Sequence, residues 1–184
     1  MTNSRAILDL CGGSGSWSAP YRDAGYEVYA VDTLTGDDVR LTVFQKGWNV
    51  HGILAAPPCT HLSGSGARWW KQKGQSALLG ALSVVDACLR MVAAYRPAWW
   101  CLENPVGRLS RYLGPPAATF QPWEYGDPYT KRTCLWGEFT MPARTPVEPV
   151  DGGKIWKMSP GPERARLRSL TPAGFAGAFC KANP

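Results

Sequence analysis

Gly52-Ile-Leu-Ala-Ala-Pro-Pro-Cys-Thr-His-Leu-Ser63 is the stretch whose reading decides the fold. Ile53 to Ala56 reads as a short buried strand that runs into two prolines. Neither proline has an N–H to donate, so the ladder stops there and the chain leaves it stiffly. That stiffness fixes the direction of the next side chain, Cys59. In open α/β folds the C-terminal edge of a parallel sheet is where ligands bind. The following Ser63-Gly-Ser-Gly-Ala-Arg-Trp-Trp-Lys71 is glycine-rich, basic and aromatic, and reads as a mobile loop. A rigidly held thiol beside such a loop points to covalent chemistry on a nucleobase.

Upstream, Ala6–Leu10 is an apolar run with strand character that stops at Cys11-Gly-Gly-Ser-Gly15. Trp17–Ala24 is expected to be helical, with Gly25 as its C-cap, and Glu27–Val31 is a second strand ending at Asp32. Strand, glycine turn, helix, strand and acid form the first half of a nucleotide-binding unit. Glycines let the backbone approach a ligand closely, and an acid about 17 residues beyond Gly15 can accept two ribose hydroxyls. Cys11 is small enough for the turn. Asp38, in the polar turn Thr35–Arg40, is a candidate for contacting an adenine amino group.

Downstream, Leu41–Gly47 is helix-like, and Gln75–Tyr95 carries apolar residues at helical spacing until Arg96-Pro97 ends it. Ala98–Leu102 is the next strand. It delivers Glu103-Asn104-Pro105 to the edge that holds Cys59, 44 positions earlier in the chain. Thr119–Trp123 and Arg132–Phe139 read as strands, and residues 140–168 as irregular and basic. Thr171 is placed as N-cap, with Pro172 at the first position of a last helix. A length of 184 residues implies one domain: a core over 1–137, a short irregular basic region over 138–168 and a C-terminal helix over 169–184.

The net charge is +6 and uneven. Residues 1–60 hold four Lys/Arg against six Asp/Glu, and residues 61–184 hold sixteen against eight. A basic surface attracts polyanions such as nucleic acid. Cys11, Cys59, Cys88, Cys101, Cys134 and Cys180 are scattered, with only His51 and His61 beside them, which is neither a zinc pattern nor a disulfide framework. Buried thiols in a reducing compartment, no metal and no membrane span are expected. Asp86 and Arg90 interrupt the longest apolar stretch, Ala77–Ala94, and no signal-peptide layout is present, so the expected location is the cytoplasm.

For a cytosine target, C5 is a poor nucleophile. A thiolate added at C6 makes C5 enamine-like and able to attack a methyl cation equivalent. Cys59 would be the nucleophile and Glu103 the acid at N3, with Asn104 orienting that carboxyl. The glycine turn and Asp32 would hold S-adenosylmethionine.

Asp9-Leu-Cys-Gly-Gly-Ser-Gly15, Asp32, Pro57-Pro-Cys-Thr-His-Leu-Ser63, Leu102-Glu-Asn-Pro105 and Tyr125-Gly-Asp-Pro128 resemble, in that order, the DNA cytosine-5 methyltransferase family. Arg168-Ser-Leu-Thr-Pro172 is similar to its late Leu-Thr-Pro motif. The whole resembles the short, phage-type members. The resemblance implies an α/β, Rossmann-like S-adenosylmethionine-dependent methyltransferase core with a mostly parallel sheet, and a cytosine flipped out of DNA. It assigns Asp9, Cys11, Gly12, Gly13, Gly15, Asp32, Asp38 and Pro57 to the cofactor. Pro58, Ser63, Arg68 and Lys131 are assigned to the substrate, with Ser63–Lys73 as the loop that closes over DNA. If the chain is phage-encoded, the cytoplasm is the host's.

The departures are specific. The family's Gln-x-Arg-x-Arg is Tyr129-Thr-Lys-Arg-Thr133 here, so Lys131 keeps one basic position and Thr133 replaces the last arginine. The adjacent Arg132 is the expected catalytic substitute. About 30 residues separate the Trp136 strand from Leu-Thr-Pro, which leaves a truncated recognition region. Sequence specificity is then slight, or supplied by a partner protein or a second copy of the chain. Two alternatives stay open: the same chemistry on a free cytidine nucleotide, and a catalytically silent nucleic-acid-binding relic.

Overall fold

The computed structural model describes residues 5–150, 158–159, 161 and 163–184. Strands β1 (Ala6–Leu10), β2 (Glu27–Val31), β3 (Val50–Ala55), β4 (Trp99–Pro105), β5 (Ala118–Phe120) and β6 (Thr133–Glu138) form one sheet in the order β2-β1-β3-β4-β6-β5. The first four are mutually parallel; β6 runs antiparallel to both β4 and β5. Helix α1 (Ala19–Asp23) follows β1, α2 (Trp70–Tyr95) joins β3 to β4, and α3 (Ser110–Leu113) follows β4. Helices α4 (Glu163–Ser169) and α5 (Ala173–Ala182) end the chain.

The apolar strands are continuous because both sheet faces are covered. Successive strand side chains point to opposite faces, so neighbours in sequence join different cores. Leu8, Ile53, Leu102 and Trp136 pack with Val85, Cys88 and Met91 of α2. Ile7, Leu54, Cys101 and Leu135 pack on the other face with Trp17, Tyr21, Phe175 and Phe179. There Phe120 and Phe175 stack with centroids 3.7 Å apart.

Helix α2 begins regular structure at the predicted point. Gly74 has φ 71° and ψ −175°, which breaks the first turn, and regular helix resumes from Gln75. Arg96, left-handed at φ 49°, caps the other end by donating to the Val92 carbonyl at 2.9 Å. By length and composition the run Gly64–Tyr95 is apolar enough to cross a membrane. Here Ala81, Val85, Ala87, Cys88 and Met91 are buried within the protein.

Several local expectations are corrected. Leu41–Gly47 is not helical. Arg90 of α2 takes the carbonyls of Val39, Arg40 and Thr42 at 3.0–3.3 Å, so they are engaged outside any helical ladder. The run Gly64–Trp69 is a 3-10 helix leading into α2 rather than an open loop. Glu103 and Asn104 lie within β4, not beyond it. The region expected to be irregular contains α4. The last helix starts at Ala173 with Pro172 as its N-cap, whose carbonyl accepts from Ala176 at 2.9 Å, while the Thr171 N–H donates to the Ser16 hydroxyl at 3.0 Å.

Gly52 faces Trp99 across the β3–β4 pair, and a β-carbon at Gly52 would overlap the indole. Gly52→Ala is therefore expected to destabilise the protein by roughly 1–3 kcal/mol, measured by urea unfolding.

Candidate active site

Cys59 opens a 3-10 turn, Cys59–His61, immediately beyond β3. The Leu62 and Ser63 N–H groups close the turn on the Cys59 carbonyl at 2.9 and 2.8 Å. The turn is bolted to its surroundings from several sides. Ala56 donates to the Leu10 carbonyl at 2.9 Å, and Asn104 Nδ2 donates to the Pro57 carbonyl at 2.8 Å. Lys73 Nζ donates to the Thr60 carbonyl at 3.1 Å. Gly107 lies so close to the Leu62 carbonyl that no β-carbon fits there. Arg108 donates from its backbone to Leu62 and from Nε to the His61 carbonyl, at 2.9 and 2.7 Å. Its guanidinium also covers Trp70, 4.6 Å from the ring centroid. Arg108, which reads as solvated surface from sequence, is buried and structural.

Glu103 is buried on β4 and faces Lys131, with Nζ 3.9 Å from Oε1. Burial raises its pKa, and the Lys131 charge offsets part of the rise. The Cys59 thiol is also raised, first by burial and then by Glu103, against the lowering effects of Lys131 and Arg168. Thiol, carboxyl and two cations therefore share one electrostatic neighbourhood. Asn104 does not orient Glu103. Adjacent strand residues face opposite ways, so its amide reaches Pro57 instead and holds the nucleophile loop. Arg132, expected as the catalytic cation, is exposed, and Thr133 is buried. Lys131 is the buried cation of that segment, and its Nζ also donates to the Leu170 carbonyl at 3.0 Å.

The glycine turn lies at the end of the neighbouring strand. Cys11, Gly13 and Gly15 have φ of 58°, 57° and 71°. Gly13 and Leu34 each donate an N–H to Asp32 at 2.8 Å, which leaves the carboxylate further acceptor positions. Asp9 is buried beneath the turn. One oxygen accepts from the Ser18 hydroxyl, while Oδ1 has no hydrogen-bond partner among the described residues. A β-carbon on Gly12 would run into that carboxylate.

A cleft of about 270 Å³ lies beside the thiol loop, lined by Arg40, Pro58, His61, Ala77, Gly80, Ala81 and Val84. Asp38, expected to meet an adenine, is paired with Arg40 through that residue's side chain and backbone N–H, which lowers its pKa to about 2. Arg40 therefore stands on the cleft wall in its place. Pro57 is buried and Pro58 exposed. Ser63 is buried, with its hydroxyl 3.0 Å from that of Ser65. Arg68 is exposed over the Trp69 ring. Among the described residues no His, Cys, Asp and Glu cluster could hold a metal.

Sequence reading missed Ser16 and Arg168. Arg168 Nη2 lies 3.5 Å from Ser65 Oγ. The only local signal was its place just before Leu170-Thr171-Pro172.

No protein-family model and no curated protein matches the chain. Among solved structures it is similar to a prophage-encoded E. coli protein described as a candidate DNA modification methyltransferase, with TM-score 0.53 and 18% identity. The match covers 85% of this chain and 56% of that one, so the chain spans little more than half of its neighbour. The expected fold class holds: a Rossmann-like α/β core with a mostly parallel sheet, the fold of that neighbour.

The Asp9 carboxyl offers a pH test. Burial, the largest cause, raises its folded pKa above 3.8. A raised carboxyl binds its proton more tightly in the folded state, so its contribution to stability declines as pH rises from 3.8 through the folded value. Asp9→Asn removes that titration. In paired urea melts the variant should gain stability relative to the parent as pH rises above about 4.

Proposed function

We propose that this protein transfers a methyl group from S-adenosylmethionine to C5 of cytosine in DNA. The observation that carries the reading is the convergence of Cys59, Glu103 and Lys131 at the C-terminal edge of β3 and β4, one strand from the glycine turn. The basic chain from residue 61 onward supports a polyanionic substrate, and the prophage-encoded neighbour is described as acting on DNA.

The residues present fit the donor. Gly12 and Gly13 allow close backbone approach, Asp32 keeps acceptor capacity for ribose hydroxyls, and the Arg40–Pro58 cleft can take the base. When bound, S-adenosylmethionine supplies the electrophilic methyl. Cys59 gives up its proton to solvent water and its sulfur bonds to C6 of the cytosine. Glu103, whose pKa burial raises, offers a proton to N3 and so neutralises the charge that the addition places on the ring. After C5 is methylated, solvent water takes its proton, the electron pair reforms the C5–C6 double bond, the C6–S bond breaks to return the thiolate, and the N3 proton goes back to Glu103. Asn104 acts indirectly, by fixing the loop that aims the sulfur.

The shortness of the region between β6 and α4 favours one second reading, in which the acceptor is a free cytidine nucleotide.

The test is a 5-fluorocytosine oligonucleotide incubated with donor, because fluorine at C5 cannot leave as a proton does and the adduct persists. A denaturation-stable protein–DNA adduct is expected for the parent and none for Cys59→Ser. Glu103→Gln should slow adduct formation by roughly 10²–10⁴-fold. No adduct with the parent protein rejects the proposal, and methyl transfer to dCMP but not DNA selects the nucleotide reading.

A further inference from the structure

The four residues from Arg168 to Thr171 touch three separate parts of the site. Thr171 donates to Ser16 beside the glycine turn at 3.0 Å, and the Leu170 carbonyl accepts from Lys131, the partner of Glu103, at 3.0 Å. Arg168, in the last turn of α4, reaches Ser65, six positions beyond Cys59. This short strap thus crosses donor turn, acid and nucleophile loop in succession.

The charges around Cys59 sort themselves by how far they are already committed. Glu103, from β4, opposes a thiolate. Lys131, ahead of β6, favours one but divides its ammonium between Glu103 and the Leu170 carbonyl. Lys73, from α2, is bonded to the Thr60 carbonyl, and Arg108 to the His61 carbonyl with its face on Trp70. Arg168 has one hydrogen bond among the described residues, the 3.5 Å contact with Ser65. Its side chain is half-buried, in electrostatic reach of the thiol.

We propose that Arg168 is the positioning cation that makes Cys59 reactive, delivered by the C-terminal strap into the place that neither Arg132 nor Thr133 fills. The role rests on the reading of Cys59 as the nucleophile. A guanidinium stays charged at any working pH, so its field on the sulfur is constant. Ser65, six positions beyond Cys59, holds it at 3.5 Å. The strap's bonds to Ser16 and Lys131 tie its docking to the donor turn and to the acid.

The experiment follows the thiol itself and needs neither DNA nor donor. The full chain is alkylated with iodoacetamide across a pH series, and modification of the Cys59 peptide is read by mass spectrometry. A cation beside a thiol lowers its pKa, so its removal raises the midpoint. Arg168→Gln should move the midpoint up by about one pH unit and slow alkylation at neutral pH by up to about tenfold. Arg168→Lys should keep most of the parental midpoint, and Arg132→Gln all of it. Ser65→Ala, which releases the guanidinium without removing its charge, should give a smaller upward shift. Buried Cys88 and Cys101 report folding, since they stay unmodified in an intact protein. An unchanged midpoint in Arg168→Gln, or an equal shift in Arg132→Gln, overturns the assignment. If Arg168→Gln exposes Cys88 and Cys101, Ser65→Ala decides, and an unshifted midpoint there overturns it. Failure of the fluorocytosine trap with normal Arg168 dependence would instead reject the methyl-transfer reading alone.

Discussion

The site depends on the clamp between Asn104 and the Pro57 carbonyl. Two prolines remove the N–H groups that could have tied the chain to the ladder beyond Ala56. The loop carrying Cys59 must therefore be held by its carbonyls, and a buried carbonyl without a donor is costly. Asn104 supplies that donor from the neighbouring strand. Since β3 and β4 are parallel and in register from Gly52↔Trp99 to Ala55↔Leu102, the donor arrives where the prolines begin. One step back along β4, on the other face, is Glu103. A single strand end thus fixes the loop with one side chain and presents an acid with the next.

Other carbonyls of the loop follow the same logic. Those of Thr60, His61 and Leu62 are taken by Lys73, Arg108 Nε and the Arg108 backbone. Such a loop is preorganised, which suits chemistry that needs a sulfur within bonding distance of one ring carbon. Burial has the opposite effect on reactivity. It disfavours the thiolate, and Glu103 adds to that. Nearby cations are the available correction, and they come from segments remote in sequence, Lys131 ahead of β6 and Arg168 in α4.

The strap from Arg168 to Thr171 accounts for how the C-terminal part of the chain belongs to the core. Helix α5 buries Phe175 and Phe179 against Trp17, Trp99 and Phe120, and that aromatic packing anchors the strap just before it. Packing far from the reacting atoms thus places a cation beside them.

The four parallel strands, the glycine turn and the places of Asp32, Cys59 and Glu103 at one sheet edge could be read from the chain alone. Each depends on local features: apolar runs of strand length, a turn that needs positive φ, and prolines that end a ladder. Helix α2 was legible for the same reason, down to its start after Gly74. What failed was decided by partners distant in sequence. Leu41–Gly47 looks helical, but Arg90, 48 positions beyond Thr42, takes the Thr42 carbonyl. Asn104 looks like a partner for Glu103 until strand alternation turns it away. Arg132 looks like the replacement cation until β6 leaves it exposed and the core brings Lys131 inward. Sequence alone determined which chemistry-bearing residues end or follow a strand, because strand runs and side-chain alternation follow from local pattern. Tertiary packing alone decided which charge faces which group, because that depends on side chains meeting across elements more than a hundred residues apart, Ser65 and Arg168 among them.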